Sequence, residues 1–256
     1  MLNVSLNQLK LDYLKKKNQV IYYSLKSEGS DDIENLINNF LQEKNSFIFE
    51  SVEKGKIKGR YTIFGKNPDK IWEFNNLECY IRVGKNKKKL KGTPKKNLEK
   101  IIKNFKFSTP KELPPICSLI SGYFSYDIIR YIENIPNKNK DDLNIPDARI
   151  LRPKNLVIHD NIDKKIYFIV NIFKDEKIIN FEEKYNKIIK QIEEMVFLSN
   201  YKSSFSKINR KPVIPRVKSN ISKSKFLSNV MKAKKYIKIG DIFQVVLSQR
   251  FETRLI

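Results

Sequence analysis

Gly240-Asp241-Ile242-Phe243-Gln244-Val245-Val246-Leu247-Ser248-Gln249-Arg250-Phe251 is the stretch on which the reading of the fold turns. Its density of β-branched and aromatic residues predicts a strand over Ile242–Phe251. Immediately before it, Ser222 is placed to cap a helix with Phe226, Val230, Ala233 and Ile237 on one face. Gly240 suits the position after that helix, where a left-handed backbone is needed. Further back, residues 199–220 are polar and basic and broken by Pro212 and Pro215, the composition of a linker.

Working outward, a long helix is expected from Lys177 to Leu198, its stripe made by Ile178, Phe181, Tyr185, Ile188, Ile192 and Met195. Strands at 155–159 and 165–172 flank Asp160-Asn161-Ile162-Asp163, a hairpin turn. Residues 116–121 read as a buried strand and 123–132 as a turn into helix, after a short helix at 98–105. The run 85–96 reads as a charged loop, and 134–147 as a polar loop with two prolines. Strands are expected at 20–25, 46–52, 60–65, 71–74 and 78–83, with a turn at Gly55 and Gly59. Ser30 is placed to cap a helix carrying Ile33, Leu36, Ile37, Phe40 and Leu41, and Leu2, Leu6, Leu9 and Tyr13 make an N-terminal amphipathic helix. The sum is an α+β fold of antiparallel sheets with covering helices.

Composition narrows the function classes. The 256 residues are 40% hydrophobic and 11% aromatic, enough for a sizeable core. No apolar run approaches a membrane span, and the N-terminus lacks the charge and apolar pattern of a signal peptide. Cys79 and Cys117 lie far apart and fit a reduced, cytoplasmic setting, with a single disulfide as the alternative. The net charge of +23 suggests nucleic acid at first sight, but only nine of the 51 cationic side chains are arginine. The basic runs also lack interleaved stacking aromatics, so no nucleic-acid partner is expected. His159, the one histidine, finds no metal-ligand spacing with the cysteines and reads as a strand-end residue. Gly55 and Gly59 sit between strands, the wrong context for a phosphate loop.

Four segments resemble the anthranilate synthase component I family of chorismate-binding enzymes. They are Phe49-Glu50-Ser51-Val52-Glu53 with Gly59-Arg60-Tyr61-Thr62-Ile63-Phe64-Gly65; Gly122-Tyr123-Phe124-Ser125-Tyr126-Asp127 with Arg130-Tyr131-Ile132-Glu133; Asp142-Leu143, Pro146-Asp147 and the hairpin ending Ile166-Tyr167-Phe168-Ile169; and Ser219 through Phe251, the most specific. Ser125 stands where the family carries glycine, which questions the local backbone there.

The resemblance implies a lyase of tryptophan biosynthesis that forms anthranilate from chorismate and ammonia with release of pyruvate, Mg²⁺ holding chorismate. It implies ammonia from a glutamine amidotransferase partner, hence a hetero-oligomer, and feedback inhibition by tryptophan. It divides the chain into a regulatory domain (1–200), a linker (201–220) and the beginning of a catalytic domain (221–256). The apolar tail Arg250–Ile256 reads as a cut, so catalytic and Mg²⁺-binding residues are expected beyond Ile256, the chain alone is expected inactive, and the unpartnered strand 242–251 is expected to favour aggregation.

Carried over residue by residue, the resemblance places Ser51, Glu50, Arg60 and Tyr61 at a tryptophan pocket. The competing reading makes Glu50 a solvated strand residue beside Lys54 or Lys56. Gln244 is expected to line the chorismate site. In isochorismate synthases the matching position is a lysine that activates water, and glutamine cannot take a proton. An amine nucleophile needs no such base, while the bland alternative is a polar strand residue satisfied by its neighbours. Two other functions stay open: aminodeoxychorismate synthase component I, and a ligand-sensing module without catalysis.

Overall fold

A computed structural model describes residues 2–50, 59–137, 141–202 and 216–253. The chain divides into two compact units, Met1–Ser203 and Ser204–Ile256. In chain order the first runs α1 (Leu6–Leu14), β1 (Gln19–Lys26), α2 (Ser30–Phe40), β2 (Phe47–Phe49), β3 (Tyr61–Asn75), β4 (Glu78–Val83), β5 (Asn86–Lys89), α3 (Pro94–Asn104), β6 (Ser121–Phe124), β7 (Ala148–Asp160), β8 (Lys165–Ile172) and α4 (Phe181–Asn200). Two 3₁₀ turns, Pro115–Cys117 and Tyr126–Tyr131, flank β6.

All eight strands form one antiparallel sheet in the order β1-β8-β7-β3-β4-β5, with β2 added to β3 and β6 to β7. β3 and β7 pair along their length, from Tyr61↔Asp160 to Phe74↔Ala148. At one end this pair carries β2 and β8, at the other β4 and β6. The halves meet where the register shifts between Pro68 and Lys70. Pro68 faces Pro153 there, so two residues without a backbone N–H share the break in the ladder.

Period-two alternation sorts the sheet's side chains into two layers. Phe64, Val157, Phe168 and Val170 meet Leu9 of α1, Leu36 and Phe40 of α2, and Ile188, Ile192 and Met195 of α4. On the other face Val20, Leu156, Ile158, Tyr167 and Ile169 meet Leu113 and Cys117. In the far half Trp72, Phe74, Cys79, Ala148 and Ile150 pack on Ile101 of α3. The α+β class is as the sequence leads one to expect; Leu36 and Phe40 of α2 and Ile188, Ile192 and Met195 of α4 are buried as expected, whereas Ile37 is exposed and Ile178 precedes α4, which begins at Phe181. Cys79 and Cys117 are both buried and free.

Several local readings are corrected. The strands at 60–65 and 71–74 are one strand, because Pro68 occupies the register shift instead of ending the pairing. Residues 85–96 hold β5 and the start of α3, with Thr93 accepting from the Lys96 N–H. Pro114 and Pro115 set a 3₁₀ turn where a strand over 116–121 was expected, and pairing begins at Ser121. Ser30 is the first residue of α2 and does not cap it. Gly29 precedes it at φ 104°, and the Asp32 carboxylate accepts from the Glu28 N–H (2.8 Å) and the Ser27 hydroxyl (2.7 Å). Residues 123–132 give β6 and a 3₁₀ turn in place of helix.

The second unit contains β9 (Lys218–Ser219), α5 (Lys223–Lys238) and β10 (Phe251–Glu252). Ser222 caps α5 by accepting from the Lys225 N–H at 3.2 Å, and Gly240 follows at φ 83°. The expected strand over Ile242–Phe251 is reduced to β10, which pairs with β9 through Phe251↔Ser219 and Glu252↔Lys218. A strand exists only where a neighbour takes its backbone hydrogen bonds, and among the described residues β9 offers two positions. Most of the 201–220 stretch and the turn at Gly55 lie outside the described residues. No described helix is long and apolar enough to cross a membrane.

Candidate functional site

The β2–β3 edge starts from a glycine. Gly65 faces Phe47, and a Cβ on Gly65 would stand 2.2 Å from the Phe47 ring, so the ring lies on bare backbone. Phe49 joins Phe47 at 5.0 Å between centroids. Glu50 follows β2, exposed, and makes no hydrogen bond or ion pair with another described residue. Ser51 lies outside the described residues.

Arg60 and Tyr61 open β3 opposite Asp160. The Arg60 Nε donates to both Asp160 oxygens at 3.1 Å, and Nη2 donates to Asp160 and Asp163 at 2.7 Å each. The guanidinium lies 4.9 Å from the Tyr61 ring centroid. Asp160 also accepts from the Ile162 and Asp163 amides, closing the β7–β8 turn. Burial pushes the Asp160 carboxyl up, but Arg60 and the two amides outweigh it and hold it below the usual range. Burial raises the Tyr61 phenol. Arg60 and Tyr61 are thus brought together with two aspartates 100 residues away in sequence, and Glu50 is not bonded to them. An incoming carboxylate would compete for Arg60 with exposed Asp163, not with buried Asp160. Glu50 and Asp163 offer anions to an ammonium group.

Gln244 belongs to the second unit. It is exposed and lies in the irregular stretch after Gly240, beside the almost fully exposed Phe243.

His159 sits one residue from the end of β7, 1% exposed. Its Nε2 is 2.5 Å from the Ser27 hydroxyl, which donates to Asp32. With the hydroxyl proton directed at Asp32, the histidine serves as a buried tie between β7 and the start of α2. Burial holds its pKa below the ordinary value. It is not a base aimed at a nucleophile.

The sequence reading assigned no site to the Gly122–Glu133 segment, whose Ser125, Asp127, Arg130, Tyr131, Ile132 and Glu133 line a cavity of about 840 Å³. The Tyr131 hydroxyl donates to Asp147 at 2.8 Å, and the Asn76 amide reaches the same carboxylate at 3.2 Å. Arg130 is fixed by Asp127 and by the Ile135 and Pro136 carbonyls. Burial, then Asp147, drives the Tyr131 phenol well above its ordinary value. In the sequence, the 127–147 stretch carries five carboxylates, Asp127, Glu133, Asp141, Asp142 and Asp147, beside Arg130, Lys138 and Lys140. Ser125 has φ −73°, a conformation open to any residue, so the family's glycine is not required there. Gly122 is constrained: a Cβ would stand 2.0 Å from the Arg149 carbonyl oxygen of β7. Among the described residues, no three His, Cys, Asp or Glu side chains are grouped to hold a metal ion.

Residues 44–255 match the family described as chorismate binding enzyme. The chain is 36% identical over 222 residues to anthranilate synthase component 1 of Acetivibrio thermocellus, covering 84% of this chain and 44% of that protein. It is 27% identical over 243 residues to the protein of the same name from Cereibacter sphaeroides, covering 92% and 48%. Among solved structures it is similar to anthranilate synthase component I from Streptococcus pneumoniae TIGR4, with a TM-score of 0.60 at 24% identity over 84% of this chain and 46% of that one. That likeness concerns the fold. The chain spans a little under half the length of the curated relatives it matches.

Proposed function

Because this chain belongs to the chorismate-binding enzyme family, we propose that it serves as component I of an anthranilate synthase, a lyase forming anthranilate from chorismate and ammonia with release of pyruvate. The observation that carries this reading is the 36% identity over 222 residues to a relative of that name. Ammonia would come from glutamine through an amidotransferase subunit, making the working enzyme a hetero-oligomer. Gln244 supports an amine nucleophile: a neutral amide lining the chorismate site can hydrogen-bond substrate but cannot activate water as a base. Mg²⁺ is part of the proposal, and among the described residues no three His, Cys, Asp or Glu side chains are grouped to hold it. Residues 1–256 by themselves are proposed not to turn chorismate over, since relatives of that name are about twice as long. A cytoplasmic setting is supported by two free, buried cysteines.

Tryptophan is proposed to bind at the β2–β3 edge as a feedback inhibitor. Glu50 would face its ammonium, Arg60 its carboxylate by displacing Asp163, and the Phe47–Tyr61 side its ring, with Ser51 at its polar end. In a full-length protein that carries residues 1–256, Ser51→Phe is expected to raise the inhibition constant by about tenfold or more, the ~1.4 kcal/mol of one lost polar contact, while leaving turnover without tryptophan intact. Unchanged inhibition would defeat the assignment.

The test of the main reading is genetic and chemical. A full-length protein that carries residues 1–256 should restore growth without tryptophan to a strain lacking component I, and extracts should form fluorescent anthranilate from chorismate and ammonium salts. Rescue of a p-aminobenzoate auxotroph instead would identify an aminodeoxychorismate synthase. Tryptophan binding with no rescue of either strain would identify a sensing module. Anthranilate formed by purified residues 1–256 alone would overturn the proposed inactivity.

A further inference from the structure

A cavity of about 340 Å³ lies where α3 meets β3 and β4. Its apolar lining is Trp72 of β3, Ile81 of β4, Leu90 after β5, and Ile101 and Phe105 at the end of α3. Its polar lining, among the described residues, is Lys70, Lys91, Lys100, Arg152 and Asp175, with Asn97 and Asn104. We propose that this cavity binds a small aromatic carboxylate, its ring against Trp72 and its carboxylate met by Lys91 and Lys100.

Size and rigidity are the first argument. The volume falls within the roughly 300–1,000 Å³ of small-molecule sites, which combine apolar walls with a few placed polar groups. Trp72 and Ile101 are each 7% exposed, so these walls belong to the core. The polar groups are fixed as well. Arg152, nine-tenths buried, donates to Asp69 and Asp175, and Lys70 donates to Asp175. Asn97 is 5% exposed and donates through its side-chain amide to the carbonyls of Lys91, Gly92 and Thr93 at 3.1–3.4 Å. Those three bonds tie the turn after β5 to α3. They also leave the Asn97 Oδ1 without a donor among the described residues, an acceptor for a hydroxyl or amine carried on a ligand ring.

Charge decides the head group. Asp69 and Asp175 neutralise Lys70 and Arg152. The ammonium groups of Lys91 and Lys100 make no hydrogen bond or ion pair with a described residue. Glu99, the one carboxylate of α3, does not line the cavity. The described lining, with Asp69 counted, therefore keeps two positive charges, those of Lys91 and Lys100, beside an aromatic and aliphatic wall, a pairing that an aromatic anion satisfies. A phosphate fits less well, because the one guanidinium fork is spent on aspartates and a lysine meets an anion as a point charge. No residue of this lining belongs to the β2–β3 edge or to the second unit, so the inference stands apart from the proposed function.

The test uses the whole 256-residue chain and 4-nitrobenzoate, a quencher of indole fluorescence. Trp72 is the chain's one tryptophan, so its emission reports this cavity. Saturable quenching is expected, with a Kd of about a few millimolar or tighter for a probe of this size. Lys91→Glu and Lys100→Glu should each weaken it by about tenfold. Both positions are exposed, so folding should survive, and an unchanged circular dichroism spectrum checks it. Asp175→Asn removes the one carboxylate of the described lining and should tighten binding by about two- to fivefold, a gain that misfolding does not produce. Lys103→Glu, on α3 but outside the lining, should change the Kd by less than about twofold at about 0.15 M salt. A loss in Lys103→Glu as large as in Lys100→Glu would mean that the probe senses only the net charge of the chain, and would overturn the proposal. Quenching that stays linear, equal quenching by the neutral 4-nitrobenzamide, or one affinity for wild type and all variants would overturn it too. Binding of 4-nitrophenyl phosphate about tenfold tighter than 4-nitrobenzoate would overturn the choice of a carboxylate.

Discussion

Asp175 follows β8 and receives Arg152 Nη2 at 2.8 Å and Lys70 Nζ at 2.5 Å. Arg152 is 8% exposed, its guanidinium 3.8 Å over the Phe173 ring and shared with Asp69. Burial pushes the Asp175 carboxyl up, but the hydrogen bonds from Arg152 and Lys70 prevail and hold it at about 2. In the unfolded chain an aspartate titrates near 3.9. Because the folded value is the lower, the unfolded state binds more protons between the two, and stability falls as pH drops. The contribution is therefore complete above about pH 4 and is lost on the way down to about pH 2. Asp175 is 42% exposed, so solvent screens it and Asp175→Asn should cost only about 0.5–1 kcal/mol at neutral pH. Urea titrations at several pH values should show the wild-type advantage shrinking below about pH 4; an advantage that persists unchanged at pH 2 would show that packing, and not charge, is what the variant removes.

At the scale of elements, β6 depends on close approach. The Gly122 Cα faces the β7 backbone so tightly that a Cβ would meet the Arg149 carbonyl oxygen at 2.0 Å, and the obstacle is main chain. Gly122→Ala is expected to strip β6 from β7 at a cost of about 1–3 kcal/mol, read as faster amide exchange at Tyr123 and Phe124. Ser125→Gly, at an ordinary backbone conformation, should cost under about 1 kcal/mol and leave that exchange unchanged. The same contrast explains what the sequence could say. The α2 and α4 stripes were legible because one amphipathic period specifies both the helix and its buried face. The 155–172 hairpin was legible from its turn. The unity of β3 was hidden, since a proline inside a strand signals an end unless its partner strand also breaks, and Pro153 lies 85 residues away. Arg60 and Tyr61 were recognisable as a motif. Their engagement with Asp160 and Asp163 was not, because no local signal reports a contact across 100 residues. The Ile242–Arg250 strand was wrong for the complementary reason: propensity describes a strand but cannot supply the neighbour it needs.

For the whole molecule the imbalance lies between the two units. All three apolar clusters are built from residues within the first, the last of their buried members being Met195. Among the described residues of the second, α5 has no buried residue, and Leu227, Met231, Ile239, Phe243 and Val246 are between 53% and 95% exposed. The aggregation liability expected of a long strand edge is thereby transferred to these side chains, since β10 is only two residues long. Residues 1–203 produced alone should keep the main thermal transition within a few degrees, less than the ~2–4 °C that 1 kcal/mol moves a domain of this size, because their core is self-contained. They should also stay monodisperse at concentrations where residues 1–256 associate. Apolar contact strengthens in sulfate whereas contact driven by charge weakens, so ammonium sulfate added during light scattering should promote association of the longer chain and leave the shorter one unaffected. Aggregation of residues 1–203, or a transition lowered by ten degrees or so, would mean that residues 204–256 contribute to folding of the first unit.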